Sequence, residues 1–308
     1  MDWRYLGGTV EQESLLFWAR RAGGEPIGVA GLAFRPYWVD GRQEALGVLG
    51  DISVDSEYRG QGLAARLFRF VNEHVRERVG RNCFVIPNDA ARRSLEAAGW
   101  TTALRFVPQV LVLRPETYLR RFAGERAGQV LGRLARTAQR LAIGRPDLRG
   151  GYEATWVGRI GDALGVCWDR FPKGGLVVRD RSAAALRWRY EAAPVGRCQV
   201  ASVTRRGAPV GYFVCALDEA AGSCSVSDLL FDEIEDVAPG AAALRRLLLR
   251  NSALSSVRIR LGEGHPYAAV LARAGFVRRR PDGVLQTFFP QPWHRQVSWF
   301  VTAGDKDA

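Results

Sequence analysis

Along this chain the apolar positions change their period in the same order twice. In the first pass, alternation predicts a strand over Leu15–Arg20, a polar turn over Gly23–Pro26 and a partner strand over Ile27–Phe34. The near-continuous apolar run VLGDISV (Val48–Val54) predicts a buried strand. Behind it, Leu63–Val79 puts Leu63, Leu67, Phe70, Val71 and Val75 on one helical face, with Gly80 as a stop. CFVIPNDAARRSLEAAGW (Cys83–Trp100) then reads as a strand, a helix and a Gly-aromatic end.

The second pass repeats the hairpin over Cys198–Thr204, Arg205–Pro209 and Val210–Leu217. Short motifs recur with it. DWRYLGG (Asp2–Gly8) matches RWRYEAA (Arg187–Ala193), GDISVD (Gly50–Asp55) matches SDLLFD (Ser227–Asp232), and LEAAGW (Leu95–Trp100) matches LARAGF (Leu271–Phe276). The offsets Trp3 to Trp188, Asp51 to Asp228 and Gly99 to Gly275 are 185, 177 and 176 residues, a drift that loop-length changes produce. The expectation is an α/β (α+β) chain with two tandem copies of one unit over residues 1–122 and 151–308. Between them lies a helical linker, 123–150, whose stripe Val130, Leu131, Leu134, Ala138 and Leu141 packs between the units or lies on a membrane surface.

Composition narrows the class. No apolar run is long enough to span a bilayer, the N-terminus has no signal-peptide core, and five cysteines form no CxxC pair, which predicts a cytoplasmic protein with free thiols. Its three histidines are too scattered for a local metal motif, so no metal is expected. Net charge is +12, yet only Lys173 and Lys306 are lysines among 44 basic residues. That imbalance looks like a coding bias toward arginine, and it argues against a nucleic-acid partner.

Candidate chemistry sits at the strand-to-helix turn Arg59-Gly-Gln-Gly62. Free N–H groups at a helix start attract anions, and glycine lets a phosphate approach without a Cβ in the way. The same glycines could equally serve only to tighten the turn.

VDSEYRGQGLAARLF, with Arg59-x-x-Gly62-x-Ala64 after a strand, resembles the acyl-CoA signature of the GCN5-related N-acetyltransferase (GNAT) superfamily, and Cys83–Trp100 resembles the family's next segment. The WRY motifs, Ile86–Asn88 and the closing WFVTAGDKDA also resemble a tandem-GNAT subgroup associated with bacterial polysaccharide gene clusters. The resemblance implies two tandem GNAT-like domains, each a mixed, mostly antiparallel sheet flanked by helices. It implies acyl transfer from acetyl-CoA, or a longer acyl-CoA, to a primary amine of a small molecule such as an amino sugar. Ile52, Ser53 and Val54 would border the pantetheine in a strand gap. The segment Arg59, Gly60, Gln61, Gly62, Leu63 and Ala64 would hold the pyrophosphate, and Asn88 would lie near the thiol. Asp51, three residues before Val54, is the candidate base, directly or through water; alternatively it is a structural strand carboxylate, as its counterpart Asp228 suggests.

Three departures matter. Many family members place a Tyr general acid where this chain has Leu95, so Tyr58, water or a group from the second copy would protonate the thiolate. At the second copy's turn, DEIEDVAPGA (Asp232–Ala241) sets four carboxylates and Pro239 where a pyrophosphate would sit, which predicts that this copy holds no CoA and instead shapes an acceptor cleft. Residues 151–187 read as a strand (Thr155–Ile160) and two helices (Gly161–Phe171, Ser182–Trp188), and nothing comparable precedes Trp3. Either the chain begins late relative to its relatives, or another segment or a second chain, as in a homodimer, fills the place. Two alternatives stay open: a non-catalytic CoA-binding or interaction module, and an aminoacyl-tRNA-dependent transferase. Loops such as Arg35–Gln43 are expected to meet the acceptor.

Overall fold

The computed structural model describes residues 14–117, 150–193, 198–289 and 297–306, with isolated positions between 118 and 149. Most of the linker stripe and the Trp3 motif lie outside the described residues. In the first copy, β1 (Ser14–Arg20), β2 (Pro26–Val39) and β3 (Arg42–Val54) form an antiparallel meander. Helix α1 (Leu63–His74) follows, then β4 (Cys83–Val85), α2 (Asp89–Ala97) and β5 (Thr101–Val112). In the second copy come β6 (Tyr152–Val157), α3 (Asp162–Arg170), β7 (Leu176–Arg179) and α4 (Ala183–Leu186). They precede β8 (Cys198–Arg205), β9 (Ala208–Asp218), β10 (Ser223–Phe231), α5 (Val237–Leu248), β11 (Ser256–Gly262) and α6 (Tyr267–Arg273). The described chain closes with β12 (Val277–Arg278), β13 (Gly283–Phe288) and β14 (Ser298–Phe300).

Both copies have the expected mixed, mainly antiparallel strands, and all 14 belong to one sheet. They are joined by a reciprocal exchange. After α2, β5 leaves its own β4 and pairs with β11 of the second copy, from Ser256↔Val112 to Gly262↔Phe106. After α6, β13 crosses the other way and pairs with β4, from Gln286↔Val85 to Phe288↔Cys83. The two exchanged strands pair with each other. Thr302, just beyond β14, bridges Leu261 of β11, which closes the path β14-β7-β2-β3-β4-β13-β5-β11 into a ring. Tyr37, Val48, Phe84, Phe106, Leu285 and Val301 from around that ring form a shared core. On the other face, α1 and α2 cover Leu32, Phe34, Leu49 and Val85 with Leu67, Phe68, Val71 and Leu95. The third and largest cluster fills the second copy.

Several sequence expectations need correction. Phe70 is not in the helical core face but 57% exposed, touching Phe17 edge-on, and Ala65 and Phe68 are buried instead. Arg35–Gln43 is not a loop. β2 and β3 run through it, and only Asp40 and Gly41, both at positive φ, turn the chain, as an Asp-Gly hairpin turn requires. β7, unforeseen, adds to this extended hairpin through Tyr37↔Arg179 to Val39↔Val177. So part of the second copy's front segment flanks the first copy. Among the described residues no helix is long and apolar enough to cross a membrane.

Where β10 parts from β11, the second copy's gap is filled from within. The two strands pair from Ser223↔Ser256 to Val226↔Ile259 and then separate. Into the space runs Val301–Asp305: the Gly262 amide donates to the Val301 carbonyl (3.0 Å), and the Thr302 hydroxyl donates to Asp228 (3.2 Å). Asp305 closes a capping box with Thr302 and accepts from the fully buried Arg181 (2.9 Å), which also donates to Asp228 (3.1 Å). Burial would raise the Asp305 carboxyl, but Arg181 and Arg189 hold it below its ordinary range. A buried ion network of this kind is a weak source of net stability, but losing one partner is costly.

Two outcomes follow. A Cβ on Gly304 would stand 2.5 Å from the Tyr190 hydroxyl and 2.7 Å from the Ser227 carbonyl. Gly304→Val should expel this segment, strand Arg181 and cost about 3–5 kcal/mol in urea unfolding. Burial, then Arg181, pushes the His265 imidazole down to about 3, while Asp305 opposes them. The unfolded imidazole takes a proton near pH 6.5, so stability present above that pH falls as the solution is acidified, by ~2 kcal/mol at pH 5. His265 Nδ1 accepts from the Tyr267 amide (3.1 Å). His265→Asn keeps an acceptor there and should flatten the loss between pH 7 and pH 5.

Candidate active site

The first copy's gap is open, and local sequence explains why. At its base Gly47 lets β3 and β4 approach closely; a Cβ there would stand 2.5 Å from Cys83 Sγ and 2.9 Å from Leu32. Pairing then covers only Gly47↔Cys83 and Val48↔Phe84. Beyond these, β4 runs into Ile86-Pro87, and proline has no N–H to offer a ladder. On β3 the register against β2 slips between Gly31↔Gly50 and Val29↔Ser53. Asp51 lies in this bulge at φ 48°, a left-handed conformation uncommon for a non-glycine residue. The strands splay, and a cleft of about 900 Å3 opens between them.

The cleft runs onto the glycine turn. Asp55 accepts from the Glu57 amide (3.0 Å), Arg59 Nε donates to the Val54 carbonyl (3.1 Å), and Gln61 Nε2 donates to the Glu57 carbonyl (2.9 Å). Arg59 and Gln61 therefore brace the turn with their side chains. Gly60 (φ 76°) and Gly62 (φ 75°) take conformations that favour glycine, and a Cβ on either would meet nothing within 4 Å. Gly62 is the N-cap of α1 and supplies no side-chain acceptor, so the first amides of that helix are not capped from within it.

Of the residues expected at the site, Asp51, Ile52, Ser53, Val54, Arg59, Gly60, Gly62, Leu63, Ala64 and Asn88 all line this cleft; Gln61 stays in the turn beside it. Asn88 has a structural task as well, because its Oδ1 caps α2 by accepting from the Ala91 amide (2.8 Å). Leu95 is a fully buried core residue. Tyr58 lines the cleft, and so does Ser94, which helical spacing alone would have flagged as the residue turned away from the Leu95 face. Asp305 and Lys306 also line it. They come from the far end of the chain, and no local pattern signals them.

The second copy's equivalent positions are sealed. Asp228, aligned with Asp51, is buried and accepts from Arg181, from the Leu229 amide (2.9 Å) and from Thr302. At its turn, Asp232 pairs with Arg170 (3.3 Å), while Asp236 pairs with Arg205 (3.0 Å) and accepts from the Tyr152 hydroxyl. Two of the turn's four carboxylates thus meet cations of the same chain where the first copy presents open amides. Among the described residues no cluster suits a metal ion, and all five cysteines are free thiols.

A family model described as acetyltransferase (GNAT) family matches residues 2–100. No curated protein matches the sequence. Among solved structures, a conserved protein of Enterococcus faecalis described as a probable N-acyltransferase superposes with a TM-score of 0.62 at 11% identity, over 91% of this chain and 62% of its own. A GCN5-related N-acetyltransferase from Anabaena variabilis gives 0.58 at 14% identity, over 89% and 62%. A tandem GNAT protein from the clavulanic acid biosynthesis pathway gives 0.53 at 17% identity, over 92% and 85%. The chain spans about 62% of the length of the first two structures. At such identities the likeness is one of fold. It agrees with the doubled unit, the splayed strands and the glycine turn: residues 2–100 match the acetyltransferase (GNAT) family, in a chain whose fold is like that of a tandem GNAT protein.

Proposed function

We propose that this protein transfers an acyl group, acetyl first among them, from acyl-CoA to the primary amine of a small molecule, for which an amino sugar is a candidate. One observation carries this reading: the open gap between β3 and β4 ends on the uncapped amides of α1. A pantetheine arm fits such a gap as an extra strand, using the backbone of Ile52, Ser53 and Val54. The amides from Gly60 to Ala64 suit a pyrophosphate through their N–H groups and the helix dipole. We take residues 1–122 as the unit that holds acyl-CoA and 151–308 as the unit that borders the acceptor.

Asp51 stands on the cleft wall, half-buried, where a carboxylate can take a proton from an attacking amine, directly or through water. The departing thiolate needs a proton, and Tyr58 and Ser94 are hydroxyls on the same wall. A non-catalytic CoA-binding module is the second reading, supported by Leu95 in place of the usual tyrosine.

Thermal melting with CoA and acetyl-CoA tests the cofactor reading. Ligand at 100 times its Kd adds roughly 2.7 kcal/mol, worth about 4 °C in a chain of this size. Gly62→Glu should remove that shift, because it places a carboxylate at the phosphate position and strains a positive φ. Asp51→Asn separates the two readings: turnover of an amine acceptor should drop by about 10²–10⁴-fold with the melting shift intact. Unchanged turnover would take Asp51 out of the chemistry.

A further inference from the structure

The segment that plugs the second copy's gap ends in the first copy's cleft. Thr302–Asp305 is fixed between β10 and β11 by its capping box and by the buried Arg181. The next residue, Lys306, is exposed and is among the residues lining the cleft, as Asp51 and Asn88 are. Its amide donates to the Ala303 carbonyl (3.3 Å), so the backbone at Lys306 is tied to the anchored turn. An acyl-CoA cleft with a lysine on its wall holds donor and amine in one molecule.

We propose that the protein acylates itself at Lys306, an inference that rests on acyl-CoA occupying this cleft. The deprotonated Nζ attacks the thioester carbonyl, forming the amide N–C bond. The C–S bond breaks, and its electron pair leaves on the CoA sulfur. The proton lost from nitrogen goes to Asp51 or water, and the thiolate takes one up from water or a cleft hydroxyl. No other reactant is needed. Tethering in the same cleft supplies the effective molarity that a free amine lacks.

The composition gives an internal control. Lys173 is the only other lysine of the chain. Its amine donates to the Trp168 and Phe171 carbonyls (2.7 and 3.1 Å) and lies over the Trp38 and Trp168 rings, at 5.4 and 4.3 Å. It is held away from the cleft, and it is not among the residues lining that cavity. Solution acetylation by excess thioester also favours the exposed Lys306 over an amine held by two carbonyls, so Lys173 sets only the background. Dependence on the glycine turn marks catalysed acylation.

The experiment is to incubate the full-length protein with acetyl-CoA, follow intact mass and peptide masses, and record melting with the same ligand on the same samples. One acetyl group should appear on Lys306, at a rate on the order of 100-fold or more above Lys173, given the gain from proximity. Lys306→Arg should lose the modification but keep the melting shift, whereas Gly62→Glu, with Lys306 intact, should lose both. Acetyl found on Lys306 in protein as purified supports the proposal only if Gly62→Glu protein lacks it. A melting shift with no acetyl on Lys306 overturns self-acylation while leaving the cofactor reading standing. Equal labelling of Gly62→Glu or of Lys173 overturns it as solution chemistry, and so would a Lys306→Arg variant that loses only ligand affinity, which would make the lysine a phosphate contact. No shift with wild-type protein fells the cofactor reading and this inference together.

Discussion

A pair of parallel strands that hydrogen-bond for two residues and then part leaves a row of N–H and C=O groups facing no neighbour. Such groups inside a fold must find partners. Everything distinctive about this chain follows from how its two copies meet that requirement. In the second copy the answer is built in: residues 301–305 of the same chain enter the gap, pair with Gly262 and Leu261, and bring Asp305 to Arg181. In the first copy Gly47, the Asp51 bulge and Pro87 create the same separation, and no strand among the described residues enters it. One gap is structural and the other is a socket.

The same economy governs charge. The second copy's turn carries its own carboxylates, of which Asp232 meets Arg170 and Asp236 meets Arg205 and the Tyr152 hydroxyl, so it presents acids where an anion would need donors. The first copy's turn carries glycines whose positive φ angles and empty surroundings leave backbone donors open. Duplication supplied two equivalent frames, and divergence at a handful of positions left one gap open and filled the other. The filling segment also reaches the open gap: it carries Asp305 and Lys306 to the wall of that cleft.

Much of this was legible in the residues. The alternation in β1, β2, β8 and β9 and the turn around Gly60 and Gly62 are local patterns, and local patterns survive into structure because backbone sterics set them. Pairing partners are not local. Period-2 alternation marks β5 and β13 as strands without saying that each will lie on the other copy's sheet. Arg35–Gln43 was readable as a hairpin from Asp40-Gly41, but the buried Arg35 disguised it as a polar loop. β7 is four residues long, too short for a period to stand out. Asp305 and Lys306 could not be tied to the site from sequence, since their position depends on where the plug is anchored, about 250 residues from Asp51 along the chain.

The exchanged strand also sets a clock on biosynthesis. β4 needs β13 at its side, and β13 begins 171 residues after β5 ends. At the ribosome's pace of roughly 5–20 residues per second, that strand emerges on the order of ten to thirty seconds after the rest of the first copy. Through that interval the nascent first copy carries an unpaired edge at Cys83–Val85, an apolar strand of the kind that seeks any extended neighbour. The chain cannot finish its first half until it has nearly finished its second.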